Sequence, residues 1–141
     1  MADWDPTECT ITWGGVLIDS GFAPGTFISG GYAEDRVLVQ AGADGTIARA
    51  INASKLGAIT ITLQNTSSKN TELTAVLRAA RVGGVKSPKA AFAIVDRKGT
   101  TLVAGSEVWV QKEPDITRGK EISETAWTFQ GRFEEIAAGG N

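Results

Sequence analysis

The chain has 141 residues, with 14 Lys and Arg against 16 Asp and Glu, and a formal net charge of -2. This length suits one domain whose core needs no disulfide or metal. The sequence contains no histidine and one cysteine, which excludes Ser-His-Asp, Cys-His and His-metal sites and an internal disulfide. The slightly acidic balance argues against a surface that grips phosphate backbones.

No apolar run approaches the ~20 residues that cross a bilayer, and the first residues lack the basic and apolar regions of a signal peptide. We therefore expect no membrane association. Cys9 is expected to be a half-buried strand residue, and the pattern from residue 8 to 19 is interrupted by Gly14-Gly15. This pair indicates either a hairpin turn or a bulge in one bent strand. A short extended segment is predicted at residues 26–29, before Gly30-Gly31 releases the backbone.

Residues 37–40 and 46–51 are predicted to form two strands that are joined by a tight turn at residues 41–45. The turn contains Asp44-Gly45, and Asp-Gly between β-formers is a strong hairpin signal. In the next strand, Ile59, Ile61 and Leu63 point to one side. The opposite side is small, uncharged and hydroxylated, with Ala58, Thr60, Thr62 and Gln64.

One amphipathic helix is predicted to begin near Ser67 to Asn70 and to end near Gly83-Gly84. Its apolar stripe recurs at i, i+3, i+4 and i+7, in Leu73, Val76, Leu77 and Ala80. We expect this stripe to cover one end or face of a β core.

Further strands are predicted at residues 90–96, 100–104, 107–112 and 122–132, with a turn at residues 96–99. In the last strand, Trp127 and Phe129 share one side, whereas Glu124, Ala126, Thr128 and Gln130 share the other. Trp109 is either exposed for a contact or buried under a loop. Residues 137–141 are expected to be a mobile tail.

The pattern of seven to nine strands and one helix predicts a mainly β fold. We expect an antiparallel β-sandwich or barrel with one flanking α-helix, in a single domain over residues 1–141 with short mobile termini.

The sequence argues against three kinds of chemical site, because the residues that each site needs are missing or wrongly spaced. The doublets Glu34-Asp35 and Glu134-Glu135 point to opposite faces of a strand, so neither builds a two-carboxylate site. The turn at residues 42–45 lacks the Gly-Lys-Ser/Thr and the helix of a phosphate cradle, and Asp44 lacks the other carboxylates of a calcium loop. We expect no catalytic residue, no cofactor and no metal. One unusual feature remains: several strands have a polar face that is nearly uncharged. Such a face could line a wet channel, be shared with an identical neighbour, or be a plain solvent face.

The first half of the chain carries an ordered set of motifs, which the second half continues in its general strand order. They are Gly21-Phe22, Gly25-Thr26-Phe27-Ile28, Gly42-Ala43-Asp44-Gly45 with Arg49, residues 57–64, and Ser67-Ser68-Lys69-Asn70. This set resembles the small tail tube proteins of contractile-tailed bacteriophages.

The resemblance implies hexameric rings that stack into a hollow tube inside a contractile sheath, in the virion tail, after assembly in the host cytoplasm. The implied partners are other copies of the chain and the sheath, baseplate and tape-measure proteins, with double-stranded DNA passing through without specific binding. The implied ring-stacking residues are Ala43, Asp44, Gly45 and Arg49, with Arg49 at the base of the hairpin tip. The implied lumen-facing residues are Thr60, Thr62, Gln64, Glu124, Thr128 and Gln130.

Three other classes stay open. The first is an inner tube protein of a related type VI-like injection system or a tail completion ring. The second is a small-ligand-binding β-barrel, which needs a large internal pocket that the apolar strand residues look numerous enough to fill. The third is an enzyme, which lacks a base.

Overall fold

The computed structural model describes residues 5–97, 102–116 and 118–137. In this part of the chain, a 3-10 turn at Pro6–Glu8 precedes nine strands and one helix. The strands are β1 (Cys9–Trp13), β2 (Val16–Ile18), β3 (Ile28–Tyr32), β4 (Val37–Ala41), β5 (Ile47–Ile51), β6 (Leu56–Gln64), β7 (Ala90–Asp96), β8 (Leu102–Lys112) and β9 (Glu124–Ala137). The helix α1 is Ser68–Val82. Parts of the turn predicted at residues 96–99 and of the predicted tail lie outside the described residues.

Seven strands form one sheet in the order β2-β1-β7-β8-β9-β6-β3, and every neighbouring pair in it is antiparallel. β4 and β5 form a separate two-stranded hairpin. The prediction of a mainly β, antiparallel fold with one helix is confirmed, and the sheet is not closed into a barrel.

The structure resolves the two interpretations of Gly14-Gly15 in favour of a hairpin turn. β1 pairs with β2 up to Trp13 opposite Val16, so the loop holds only the two glycines. Both have positive φ, 58° and 85°. This is the backbone that a two-residue turn needs to match the twist of its strands, and glycine adopts it without steric cost.

The core lies on one face of the curled sheet. Ring centroids of Trp13 on β1 and Phe129 on β9 are 5.3 Å apart, although β7 and β8 lie between these strands. In a flat sheet, three strand spacings would separate them by about 14 Å. The sheet therefore bends around its own aromatic side chains. The buried core residues of the strands include Ile11, Ile18, Ile59, Ile61, Leu63, Phe92, Ile94, Val108, Trp127 and Phe133.

Helix α1 closes this core, as the sequence pattern predicts. The Ser67 side chain caps the helix by accepting a hydrogen bond from the Lys69 amide. Leu73 and Leu77 are buried in the core, and Val76 packs against it. Asn70 then ties the first turn to the sheet, since its Oδ1 accepts from Trp127 Nε1 at 2.9 Å and its Nδ2 donates to the Gln64 carbonyl at 3.0 Å.

Three predicted strand boundaries are wrong. Strand β9 continues to Ala137, five residues beyond the predicted end at residue 132, so Ala137 belongs to the strand and not to the predicted tail. Gly30 and Gly31 lie inside β3 instead of ending it, and a Cβ on Gly30 would sit 2.1 Å from the Ala58 carbonyl oxygen. These glycines thus allow close approach to β6. The strands predicted at residues 100–104 and 107–112 are parts of one strand, β8, which shifts register near Gly105 and again between Val110 and Lys112. Residues 100 and 101 are not among those described.

Candidate functional surfaces

The six residues predicted to face a lumen lie on two neighbouring strands and share one face of the sheet. Strands β6 and β9 pair with Thr60 opposite Thr128 and Gln64 opposite Glu124. Along each strand these residues alternate with buried residues, so the face that they share points away from the core. We call it the polar face, and its members are Thr60, Thr62, Gln64, Glu124, Thr128 and Gln130.

Hydroxyl and amide groups dominate the centre of the polar face. The Oγ1 atoms of Thr60 and Thr128 lie 3.3 Å apart, within hydrogen-bond distance. β6 contains no ionisable side chain along its nine residues, and Glu124 lies at one end of the face. Such a surface offers short-range hydrogen bonds but little charge at its centre to hold a phosphate group.

Two residues of β8 lie at the border of the polar face, and sequence reasoning did not place either of them there. Strand β8 places Trp109 opposite Gln130 and Lys112 opposite Thr128, with a register shift between Val110 and Lys112. Trp109 is half-buried, which lies between the two predicted alternatives. Lys112 is ion-paired with Asp115 at 3.6 Å. The alternation of side chains along a strand does not show where a bulge interrupts it. In the sequence of β8, the one signal of a bulge was the glycine at position 105.

The predicted tip residues of the hairpin form the exposed loop between β4 and β5. The Asp44 carboxylate accepts a hydrogen bond from the Thr46 amide at 3.0 Å, and the Gly42 amide donates to the Thr46 carbonyl at 2.7 Å. Hydrogen bonds from Thr46 lower the pKa of Asp44. Gly45 has φ of 89°, so glycine suits this position. Ala43, Asp44 and Gly45 are thus brought together in one defined turn.

Arg49 is not at the base of this tip. It lies in the middle of β5, directly opposite Val39 on β4. Two residues separate it from the loop, because the strand begins at Ile47. Arg49 therefore belongs to the side of the hairpin and not to its turn.

Both faces of the hairpin are apolar and exposed. The register places Val37, Val39, Ala41, Ile47, Arg49 and Ile51 on one side, the Arg49 face, and Leu38, Gln40, Ala48 and Ala50 on the other, the Gln40 face. Exposed fractions are 55% for Leu38, 66% for Val39, 73% for Ile47 and 65% for Ile51. A hairpin with one packed face would bury one of these two sets.

Cys9 is buried, not half-buried as predicted. Burial, assisted by the nearby Asp96 carboxylate, raises the pKa of its thiol. The nucleophilic thiolate is therefore disfavoured. In residues 5–97, 102–116 and 118–137, no group of three or more Cys, Asp or Glu side chains is arranged to hold a metal ion. No helix in the same residues has the length and apolarity to cross a membrane.

Comparison with protein families gives a match over almost the whole chain. The family model described as Bacteriophage PhiTE tail tube protein matches residues 9–138, from the first residue of β1 to just beyond the end of β9. No curated protein matches the chain significantly.

Proposed function

Because the chain belongs to this bacteriophage tail tube protein family, we propose that it forms hexameric rings that stack into the hollow inner tube of a contractile tail. Phage DNA is ejected through this tube. Membership of the family makes the chain a structural component of the virion and implies a non-enzymatic role.

The observation that carries the proposal is the polar face on β6 and β9. A conduit for DNA needs a wall that does not hold its cargo, and cationic side chains would bind phosphates by releasing counterions. The centre of the polar face carries Thr60 and Thr128 instead. We assign Thr60, Thr62, Gln64, Glu124, Thr128 and Gln130 to the lumen.

The two edge strands supply a route to ring closure. In the described residues, β2 pairs with β1 and β3 pairs with β6, so each leaves one edge unpaired in the sheet. An unpaired edge is a template for a further strand. We propose that each subunit continues the sheet into its neighbour, which removes both edges in a closed ring.

The hairpin β4–β5 supplies the contact between rings. Its turn, Ala43 to Gly45, and the Arg49 face would meet the next ring. Sheath, baseplate and tape-measure proteins are the further partners of this proposal, with assembly in the host cytoplasm and DNA passing without specific binding.

Electron microscopy of the purified protein over a range of concentrations tests this function. We expect rings and tubes with an open channel. A protein that stays monomeric at high concentration, and still forms no rings when baseplate or tape-measure proteins are added, would contradict the proposal.

A further inference from the structure

We infer that the peptide between Asp44 and Gly45 is a site of spontaneous isomerisation, and that a chain with isoaspartate at this position is excluded from tubes. The reaction needs only water and takes place within a single chain. Exclusion from tubes rests, in addition, on the proposed stacking of rings.

The reaction joins two groups that are neighbours in the chain. The Gly45 amide nitrogen attacks Cγ of the Asp44 carboxyl group, and the amide proton and the carboxyl hydroxyl leave as water, which closes a five-membered succinimide ring. Water then opens the ring at one of its two carbonyl carbons. Opening at Cγ restores aspartate, whereas opening at the main-chain carbonyl leaves isoaspartate, through whose Cγ the chain continues. One water is released and one is consumed, so no oxidant or other reactant is needed.

The sequence favours this position over the other Asp and Asn residues. Asp44 is the one Asp or Asn in the chain that is followed by glycine. A side chain on the following residue hinders the approach of its amide nitrogen, and glycine has none. The space around Gly45 is also open, since an added Cβ would meet no atom of a more distant residue within 4 Å. Asp115, whose side chain is 85% exposed, is instead followed by the branched Ile116.

The closed turn holds both reacting groups in hydrogen bonds. The Gly45 amide donates to the Gly42 carbonyl at 3.0 Å, and the Asp44 carboxylate accepts from the Thr46 amide at 3.0 Å. Hydrogen bonds from Thr46 also lower the pKa of Asp44, and an ionised carboxylate has no hydroxyl to lose as water. Isomerisation therefore proceeds from the open turn, in which these hydrogen bonds are broken.

The hairpin has little support against opening. In the described residues, β4 and β5 pair with each other and with none of the seven strands of the sheet. Every residue from 38 to 51 is exposed to solvent. A single two-stranded hairpin is marginally stable at best in water, so the open turn is populated far more than an open strand of the sheet. Water also reaches the succinimide ring freely.

Isomerisation changes the shape of the hairpin tip. The main chain gains one carbon atom between Asp44 Cα and the Gly45 amide, and the carboxylate is then attached directly to Cα. Neither group keeps the position from which it bonds to Gly42 or Thr46 in the closed turn. Because this tip meets the next ring in the proposed tube, we expect the isoaspartyl chain to be left out of tubes.

Isotope incorporation tests the site. Protein at a concentration too low for assembly is aged in water labelled with heavy oxygen and is then digested with trypsin in ordinary water. Cleavage after Arg36 and Arg49 releases residues 37–49, in which Asp44 is the only acidic residue. Opening of the succinimide adds a heavy oxygen, so this peptide should be labelled at least tenfold faster than residues 113–118, which contain Asp115. Equal labelling of the two peptides would overturn the inference.

A disulfide across the hairpin tests the requirement for opening. The Gly42 amide donates to the Thr46 carbonyl, so the adjacent pair, Ala41 and Ile47, is a non-hydrogen-bonded pair with Cα atoms about 4.5 Å apart. This distance suits a disulfide, and the natural Cys9 is buried. The double variant Ala41→Cys, Ile47→Cys should be labelled in residues 37–49 at least fivefold more slowly when oxidised than when reduced. Equal labelling of the two forms would contradict reaction from the open turn.

Sedimentation tests the exclusion from tubes. Wild-type protein is aged until part of it is isoaspartyl, then concentrated, and the tubes are pelleted. The isoaspartyl share of residues 37–49, identified with a synthetic standard, should be at least fivefold lower in the pellet than in the supernatant. Equal shares would overturn the exclusion while the tubes themselves remain. Absence of rings and tubes from fresh protein would overturn the proposed function and the exclusion, whereas isotope incorporation would still decide the site.

Asp44→Ser is the matched control, because a serine side chain has no carboxyl group with which to close the ring. Its residues 37–49 should take up no heavy oxygen, and it should assemble to the same extent before and after ageing. Labelling of this peptide in Asp44→Ser at the wild-type rate would place the reaction elsewhere and overturn the inference.

Discussion

The hydroxyl oxygens of Thr60 and Thr128 lie 3.3 Å apart on neighbouring strands, at the centre of the face opposite the aromatic core. Thr60 and Thr128 lie directly opposite each other in the pairing of β6 with β9. If this face lines the lumen, as we propose, a charge added at this pair would act directly on the DNA that passes through the tube.

Charge at this pair should slow DNA passage. In the double variant Thr60→Lys, Thr128→Lys, we expect assembled tubes but slower DNA ejection from virions, because every ring gains cationic groups that bind phosphates. The delay should shrink as salt rises. Thr71→Lys, on an exposed turn of α1, makes one such change away from the polar face and should eject DNA normally. Equal ejection rates for all three proteins would remove this face from the lumen.

The turn of the hairpin should be needed for stacking. Asp44→Pro removes the carboxylate that accepts from the Thr46 amide and forces Ala43 toward an extended conformation. We expect a folded monomer with an unchanged thermal midpoint that does not form tubes. Asp44→Asn keeps an acceptor and should stack. Tubes of normal length from Asp44→Pro would exclude the hairpin turn from the contact between rings.

The order of the hairpin turn should depend on pH. Hydrogen bonds from Thr46 lower the pKa of Asp44 below its ordinary value of 3.8. The ionised form therefore stabilises the turn at pH above 3.8, and this stabilisation is lost as the pH falls through the lowered pKa. In an NMR titration, the Thr46 amide shift should change with a midpoint below 3.8, and the change should be absent in Asp44→Asn. A midpoint at or above 3.8 would contradict the assignment of this hydrogen bond.

Asn70 should contribute to stability through two hydrogen bonds, which connect α1 to Trp127 and to the end of β6. We expect Asn70→Ala to lower the free energy of unfolding by about 1–3 kcal/mol, because it leaves a largely buried indole N–H without its partner. Urea denaturation followed by tryptophan fluorescence measures this. Thr71→Ala, at the next and exposed position, should change stability by less than about 0.5 kcal/mol. Equal free energies of unfolding for the two variants would mean that the two hydrogen bonds of the Asn70 side chain do not stabilise the fold.

Gly131 should tolerate no side chain. A Cβ there would lie 2.1 Å from the Glu107 carbonyl oxygen, opposite the irregular part of β8. Gly131→Ala should therefore lower the free energy of unfolding by about 1–3 kcal/mol, because a strand must shift to relieve the overlap. Gly119→Ala, where nothing lies within 4 Å of the added atom, is the matched control. Similar unfolding midpoints for these two variants would show that β8 and β9 separate easily at this point.

The elements with regular patterns were predictable from the sequence. Alternation in residues 58–64 assigned Ile59, Ile61 and Leu63 to the core and the threonines between them to the opposite face, as the structure has them. The helix followed from its cap at Ser67 and its apolar stripe. The hairpin followed from Asp44-Gly45 between β-formers.

The remainder depended on contacts between distant residues. The position of Gly30 inside β3 depends on its approach to Ala58, which lies 28 positions further along the chain. The bulges of β8 depend on its pairing with β9. The curl of the sheet depends on packing of Trp13 against Phe129. The sequence also left open what covers both apolar faces of the hairpin, because alternation describes one chain and not its neighbours.

The proposed tube is tested by a helical reconstruction of tubes assembled from the wild-type protein. We expect hexameric rings in which the side chains of Thr60 and Thr128 line the channel and the hairpin lies between rings. Tubes in which these two threonines face outward, or a protein that remains monomeric at every concentration, would contradict it.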